Sequence, residues 1–409
     1  MRNVLPRSSL GALRRPYLLG IALVAPIAVA VLVACGGGGD GMTSAPGSGG
    51  EGAQTVASGT LTGLGSIYVN GIEYDDSAAT ITDDLGNSFP ASALKLGMQV
   101  QLTGKDPTTS TGMGNAGTIV FTSNLEGPVD STDATASTVT VLGQTVGVNV
   151  DTVWDTTLVN GLAGLTAGEL LKVYSLYDGA TGRYIASRVE PDAGVTRYKL
   201  RGTVSNLDTT AKTYTVGPTK IDYSGLASVP DGLANDKIAT AELQTTMGAN
   251  GWVATGVQLH NNGLPGNHVN VHVRGMIADA NSATSFTLDG WPVDASGATF
   301  PSGQEGIVEG ASVQVDGIVT NGAVIATTVD LQVPGGHHGM DFQVHGPIDG
   351  INANRQTFVL RGTLVSYAGD VAFTGGSASD LKVGTKVLVQ GKLAADGNTV
   401  QAVKISINQ

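Results

Sequence analysis

Apolar residues recur two apart along this chain, and a glycine closes each short run. The clearest instance is Leu381-x-x-Gly384-x-x-Val387-x-Val389-x-Gly391, followed by Ala402-x-x-Ile405. Offsets of two put side chains on one face of a strand, and the glycines turn the chain into the next one. The return segment recurs as Ala116-x-x-Ile119, Ala186-x-x-Val189, Ala254-x-x-Val257, Ala326-x-x-Val329 and Ala402-x-x-Ile405. The strand before it recurs as Gly97-x-x-Val100-x-Leu102-x-Gly104 and Gly310-x-x-Val313-x-Val315-x-Gly317. A second copy keeps Gly168, Leu171 and Val173 but ends in Ser175, and a third has Asn235, Ile238 and Thr240.

Each unit opens on a glycine: Gly59, Gly127, Gly202, Gly275 or Gly346. An apolar pair and another turn glycine follow, as in Ile67-x-Val69-x-Gly71 and Phe358-x-Leu360-x-Gly362. The third unit, Tyr214-x-Val216-Gly217, is one residue short. This pattern predicts an all-β protein: a tandem array of about five small OB-like or SH3-like barrels, each of about five short strands. A two-layer sandwich is the alternative. The expected units span residues 57–125, 126–199, 200–273 (divergent), 274–343 and 344–409. Neighbouring units should touch and form a rod or a curved string of beads. One feature resists a flat strand, because Ala and Val three apart point to opposite faces. A bulge or barrel corner is therefore expected between them.

Composition agrees. Glycine supplies 59 of 409 residues and charged residues only 14%. The formal net charge is −12, although Arg2, Arg7, Arg14 and Arg15 stand in an N-terminal stretch without acids. So acidic a remainder offers no cationic field for a phosphate backbone, and nucleic acid is not an expected partner.

Residues 1–34 change the picture most. Arg14-Arg15 precede an apolar run that ends in Leu32-Val33-Ala34-Cys35, and Cys35 is the single cysteine. The stretch resembles a bacterial lipoprotein signal peptide cleaved before a cysteine that becomes acylated. Residues 35–56, rich in Gly, Ser and Ala, read as a flexible tether. The resemblance implies a Gram-negative cell-envelope protein anchored by palmitate-like chains on Cys35, with Gly36 in place of Asp favouring the outer membrane.

Candidate chemistry is sparse. All six histidines lie between His260 and His345. His268 and His272, four apart on an expected strand, with His337, His338 and His345 beyond, are the candidates for a metal site, against a reading as exposed polar residues. No catalytic grouping emerges, so no enzyme activity and no cofactor are expected. Matches to G-x-G-x-x-G fall in the tether and a hairpin tip, not between strand and helix. Asp75-Asp76 and Asp83-Asp84 read as solvated turn residues. Trp154, Trp252 and Trp291 would either cap barrel cores or stack on sugar rings.

The glycine and valine spacing of residues 57–409 resembles the bacterial domain-of-unknown-function family 5666, best in the first, fourth and fifth units. The family occurs in tandem behind lipoprotein signals and implies no activity. The expected role is structural, adhesive or partner-binding in the envelope, toward an envelope protein or a glycan. A carbohydrate or small-ligand module is the alternative, and metal capture by residues 260–345 a further one.

Overall fold

The computed structural model describes residues 52–260, 265–288, 290–334 and 341–407. Cys35, His337 and His338 lie outside them. The described residues are all-β, with short 3-10 turns such as Ala91–Ala93 and Gly161–Gly164.

Barrel 1 shows the common plan. Its strands are Gln54–Leu64, Ile67–Val69, Ile72–Asp75, Gln99–Lys105 and Gly114–Thr122. The first three form an antiparallel meander, the third runs parallel to the fifth, and the fourth closes on the first. The circuit 1-2-3-5-4-1 is the OB-type arrangement, which leaves no free edge within the barrel. Barrels 2, 3 and 4 repeat it, each with a parallel third–fifth pair: Tyr184↔Val146, Ile221↔Trp252 and Val293↔Val324. In barrel 5 the first strand is split into Asp341–Pro347 and Gly350–Asn352, and the parallel pair is Val365↔Val400. The first strand of barrel 1 begins at Gln54, inside the stretch that reads as tether.

Two local rules recur among the barrels. In barrels 1, 2 and 5 the second and third strands join through a two-residue turn with both residues left-handed: Asn70-Gly71, Leu142-Gly143 and Arg361-Gly362. Such turns match the right-handed twist of the strands they join. The apolar pair before each turn faces inward, so Ile67, Val69, Val139, Val141, Phe358 and Leu360 are buried.

The second rule resolves the Ala-x-x-Val spacing. In every barrel the register slips by one residue directly after the alanine: Gly104↔Ala116 but Thr103↔Thr118, and Gly391↔Ala402 but Gln390↔Lys404. Barrels 2, 3 and 4 skip Ser187, Thr255 and Thr327 in the same way. The extra residue turns the next position back to the core, so Ala116 and Ile119, or Ala402 and Ile405, are buried on one side. The facing glycine is steric, since a Cβ on Gly317 would lie 2.5 Å from the carbonyl oxygen of Ile325.

Barrel 3 corrects the alignment by one residue. Its left-handed turn falls on Asp236, not Asn235. Ala239 faces the opening Gly202, as Val100 faces Gly59. The inward residues are thus Ala239, Ala241 and Leu243, not Ile238 and Thr240. Asn235 instead accepts the Leu207 N–H on its side chain at 3.0 Å.

The barrels do not form a string of beads. The first strand of barrel 1 pairs with its fourth strand over Gln54–Thr60 and with its second from Leu61 on, and strands of other barrels take the edges those pairings leave open. Thr55–Ser58 pair in parallel with Asn270–Val273 of barrel 4, and Gly63-Leu64 with Gln343-Val344 of barrel 5. Barrels 2 and 3 join through Leu125↔Leu200 and Glu126↔Lys199. Pairing an exposed edge removes its unmet backbone groups, and no sequence neighbour is required for that. The cores merge likewise, since one apolar cluster runs from Leu61 and Tyr74 of barrel 1 into Phe342 and Val389 of barrel 5.

Candidate functional site

Polar chemistry concentrates where the other barrels meet barrel 1. Asp84, expected in a solvated turn, is instead buried against barrel 3. Its Oδ1 pairs with the Lys199 ammonium, which also donates to Ser123 Oγ at 3.0 Å. Thr240 Oγ1 and His260 Nε2 lie 2.7 Å apart beside the same carboxylate. Burial, with Arg201 nearby, lowers the His260 imidazole to about 4. Toward barrel 2, buried Arg188 donates to Leu96 O at 3.2 Å, to Asp155 Oδ2 at 3.0 Å and to Glu190 Oε2 at 2.9 Å. Barrel 2 also reaches barrel 5, where the Trp154 N–H donates to Gly397 O at 2.7 Å.

A cavity of about 280 Å³ at the junction of barrels 1, 2 and 3 gathers Glu126, Lys172, Glu190, Arg197, Lys199 and Glu242. Its charges answer one another: Lys172 stands 3.4 Å from Glu126, and Arg197 Nε 2.7 Å from Glu242. Such mutually paired groups can lock barrels together, and the Ser123 hydroxyl on the same wall is drawn into them, donating to Glu126 Oε1 at 2.6 Å. A second cleft, of about 370 Å³ between barrels 1, 2 and 4, has Leu176, Ile185, Met276 and Leu331 on its walls. Arg274 stands in it, with its pKa lowered by burial and opposed by the Asp151 charge.

Among the described residues the histidines do not converge. His268 is not on the strand with His272: it sits left-handed in an exposed turn before Asn270–Ser282, its N–H on Val319 O at 2.8 Å. His272 lies between barrels 1 and 4. Its Nδ1 donates to Asp316 Oδ1 at 2.7 Å and its Nε2 to Asp106 Oδ1 at 3.2 Å. Asn270 donates to the other Asp106 oxygen at 2.6 Å. With both ring nitrogens donating, His272 has no lone pair for a metal. His345 lies in barrel 5, where its carbonyl accepts the Arg361 Nε–H at 2.7 Å. Among the described residues no group of three or more His, Cys, Asp or Glu is placed to hold a metal ion.

The His272 contacts carry a pH prediction. Burial disfavours its charge, but the hydrogen bonds and charges of Asp106 and Asp316 outweigh that and raise it to about 9. A folded-state value above the unfolded one of 6.5 contributes stability that is complete below pH 6.5 and fades as pH rises through about 9. The loss should be on the order of 3 kcal/mol across that window. Urea unfolding at stepped pH measures it, and His272→Gln should flatten the slope. His260 acts in the opposite sense: its contribution holds above 6.5 and is lost as pH falls toward about 4.

The tryptophans serve the packing. Trp154 and Trp291 are buried at 7% and 4% exposure, too little for either to offer an open stacking face. Trp252 meets Tyr198 edge-on, with ring centroids 5.5 Å apart.

Tandem OB-type barrels joined through strand edges and buried ion pairs define the class of this protein. Three segments match a domain of unknown function, DUF5666: residues 126–190, 274–330 and 345–406, in barrels 2, 4 and 5. The chain thus contains repeated DUF5666 domains. Barrel 1, expected among the best likenesses, is not matched, and neither is the divergent barrel 3. Both keep the same strand circuit. No curated protein matches the chain.

Proposed function

We propose that this protein is a non-enzymatic lipoprotein of the cell envelope, held on the outer membrane through acylated Cys35, and that its barrels form a rigid scaffold for an envelope partner. One observation carries the scaffold reading. Barrel 1 is tied to barrels 2, 3, 4 and 5 by strand pairing and buried polar contacts, as in Arg188 to Leu96, Lys199 to Asp84, Asn270 to Asp106 and Gly63↔Gln343. Contacts of that kind fix the barrels relative to one another, as a platform requires and a flexible adhesive string does not. The anchor reading is supported by Leu32-Val33-Ala34-Cys35 at the end of the N-terminal apolar run.

Growing the producing cells with an alkyne-tagged palmitate tests the anchor. The wild-type chain should take up the tag and sediment with membranes, while Cys35→Ser should lose the tag and the membrane association together. A Cys35→Ser chain still tagged, or an untagged wild type, would defeat the proposal.

A further inference from the structure

A cavity of about 150 Å³ lies where barrels 1, 2, 3 and 4 meet. Its lining includes Gln101, Asn124, Ser175, Tyr177, Arg201 and Trp291. Arg201 is the one charged side chain on its wall, and no carboxylate lines it. The contrast with the rest of the molecule is sharp. The chain holds 34 acids against 22 Lys and Arg, and the neighbouring cavity is filled with paired charges.

Two groups at this cavity lack hydrogen-bond partners among the described residues. Arg201 Nε is buried and unmet, and the guanidinium joins none of the ion pairs there. Ser175 is 4% exposed, and its buried Oγ is also unmet. A buried donor without a partner costs about 1–3 kcal/mol, more when charged, so such a pair is a standing demand for an acceptor. Ser175 departs from the repeat: it occupies the bulge-facing position that is glycine in barrels 1, 4 and 5, and closing a barrel does not need it. Arg201 takes the position before the opening glycine, which is Ser58 in barrel 1, Glu126 in barrel 2, Arg274 in barrel 4 and His345 in barrel 5.

The remaining walls narrow the choice of ligand. The Tyr184 hydroxyl is committed to Arg201 O at 2.7 Å and holds that segment in place. Asn124 Oδ1 accepts the Ser175 N–H at 3.1 Å and fixes the serine. Tyr177, its ring centroid 5.0 Å from that of Tyr184 and tilted 58° to it, is 40% exposed and offers a ring face at the rim. Gln101 and Thr203, both exposed, offer polar groups beside it. The volume equals that of about five water molecules, enough for a carboxylate and the first carbons behind it.

We infer that this four-barrel junction binds a small hydroxylated carboxylate of the sugar-acid class, its carboxylate on Arg201 and Ser175 and its ring against Tyr177. Arginine is the residue whose planar donors match a carboxylate, and an aromatic face suits the apolar side of a sugar ring. The inference does not depend on the anchor or the scaffold reading.

Saturation-transfer NMR on the full chain tests it with glucuronate and glucose as the observed probes and inorganic phosphate as a competitor. Glucuronate should bind saturably and glucose should not. Arg201→Gln should weaken glucuronate binding about tenfold or more, as loss of a charged hydrogen bond implies. Tyr177→Ala, at an exposed ring, should weaken it with the fold intact and serves if Arg201→Gln misfolds. Arg274→Gln, in the neighbouring cleft, should leave binding unchanged. No saturable glucuronate signal, equal binding of glucose, binding of phosphate as tight as glucuronate, or binding indifferent to both Arg201→Gln and Tyr177→Ala would each overturn the inference.

Discussion

Replacing Lys199 with Met should cost about 3–5 kcal/mol, seen as a large fall in the thermal midpoint of the full chain. The reason lies on the far side of the ion pair. Asp84 and Lys199 have side chains only 4% and 5% exposed, and they join barrels 1 and 3 across the chain. Removing the ammonium leaves Asp84 buried with Thr240 at 3.4 Å as its remaining hydrogen-bonding neighbour from barrel 3. A lone buried carboxylate is far more costly than a missing contact. The double variant Asp84→Leu with Lys199→Met should therefore lose less than Lys199→Met alone, because no uncompensated charge remains. If the two single losses simply add in the double variant, the groups are not coupled and the junction is held by packing instead.

Gly104→Ala should be the second large effect, about 2–3 kcal/mol. A Cβ at Gly104 would overlap the carbonyl oxygen of Asn115 in the bulged strand, and a backbone atom cannot swing aside. Gly117→Ala is the matched control. Its Cβ would meet nothing nearer than Thr103 O at 3.4 Å, and the same bulge position carries Ser187, Thr255, Thr327 and Val403 in the other barrels. It should stay within about 0.5 kcal/mol of wild type. Equal losses at Gly104 and Gly117, read by urea unfolding, would remove the steric account of the bulge glycine.

The contrast between these two predictions marks how far the chain was legible. Everything local was written in it. The two-residue spacing of Val387 and Val389, the turn glycines and the Ala-x-x-Val return strand announce a small barrel, and even the bulge follows from a spacing that a flat strand cannot satisfy. Barrel 3 went astray by one residue because Asp236 holds the left-handed turn that glycine holds elsewhere, and Asn and Asp both tolerate it.

The junctions were not legible, and neither was the cavity at Arg201. Asp84 sits in a polar turn sequence and reads as solvated; nothing near it says that Lys199, more than a hundred positions on, will bury it. His272 looks like a metal ligand until Asp106, just past the strand Gln99–Lys105, and Asp316, on another strand, arrive beside it. Turns, strands and bulges depend on residues a few positions apart, so their steric rules can be read along the chain. Which barrel covers the long first strand of barrel 1 depends on edge pairing and charge matching between segments hundreds of residues apart, and those meet only when the barrels have folded and docked.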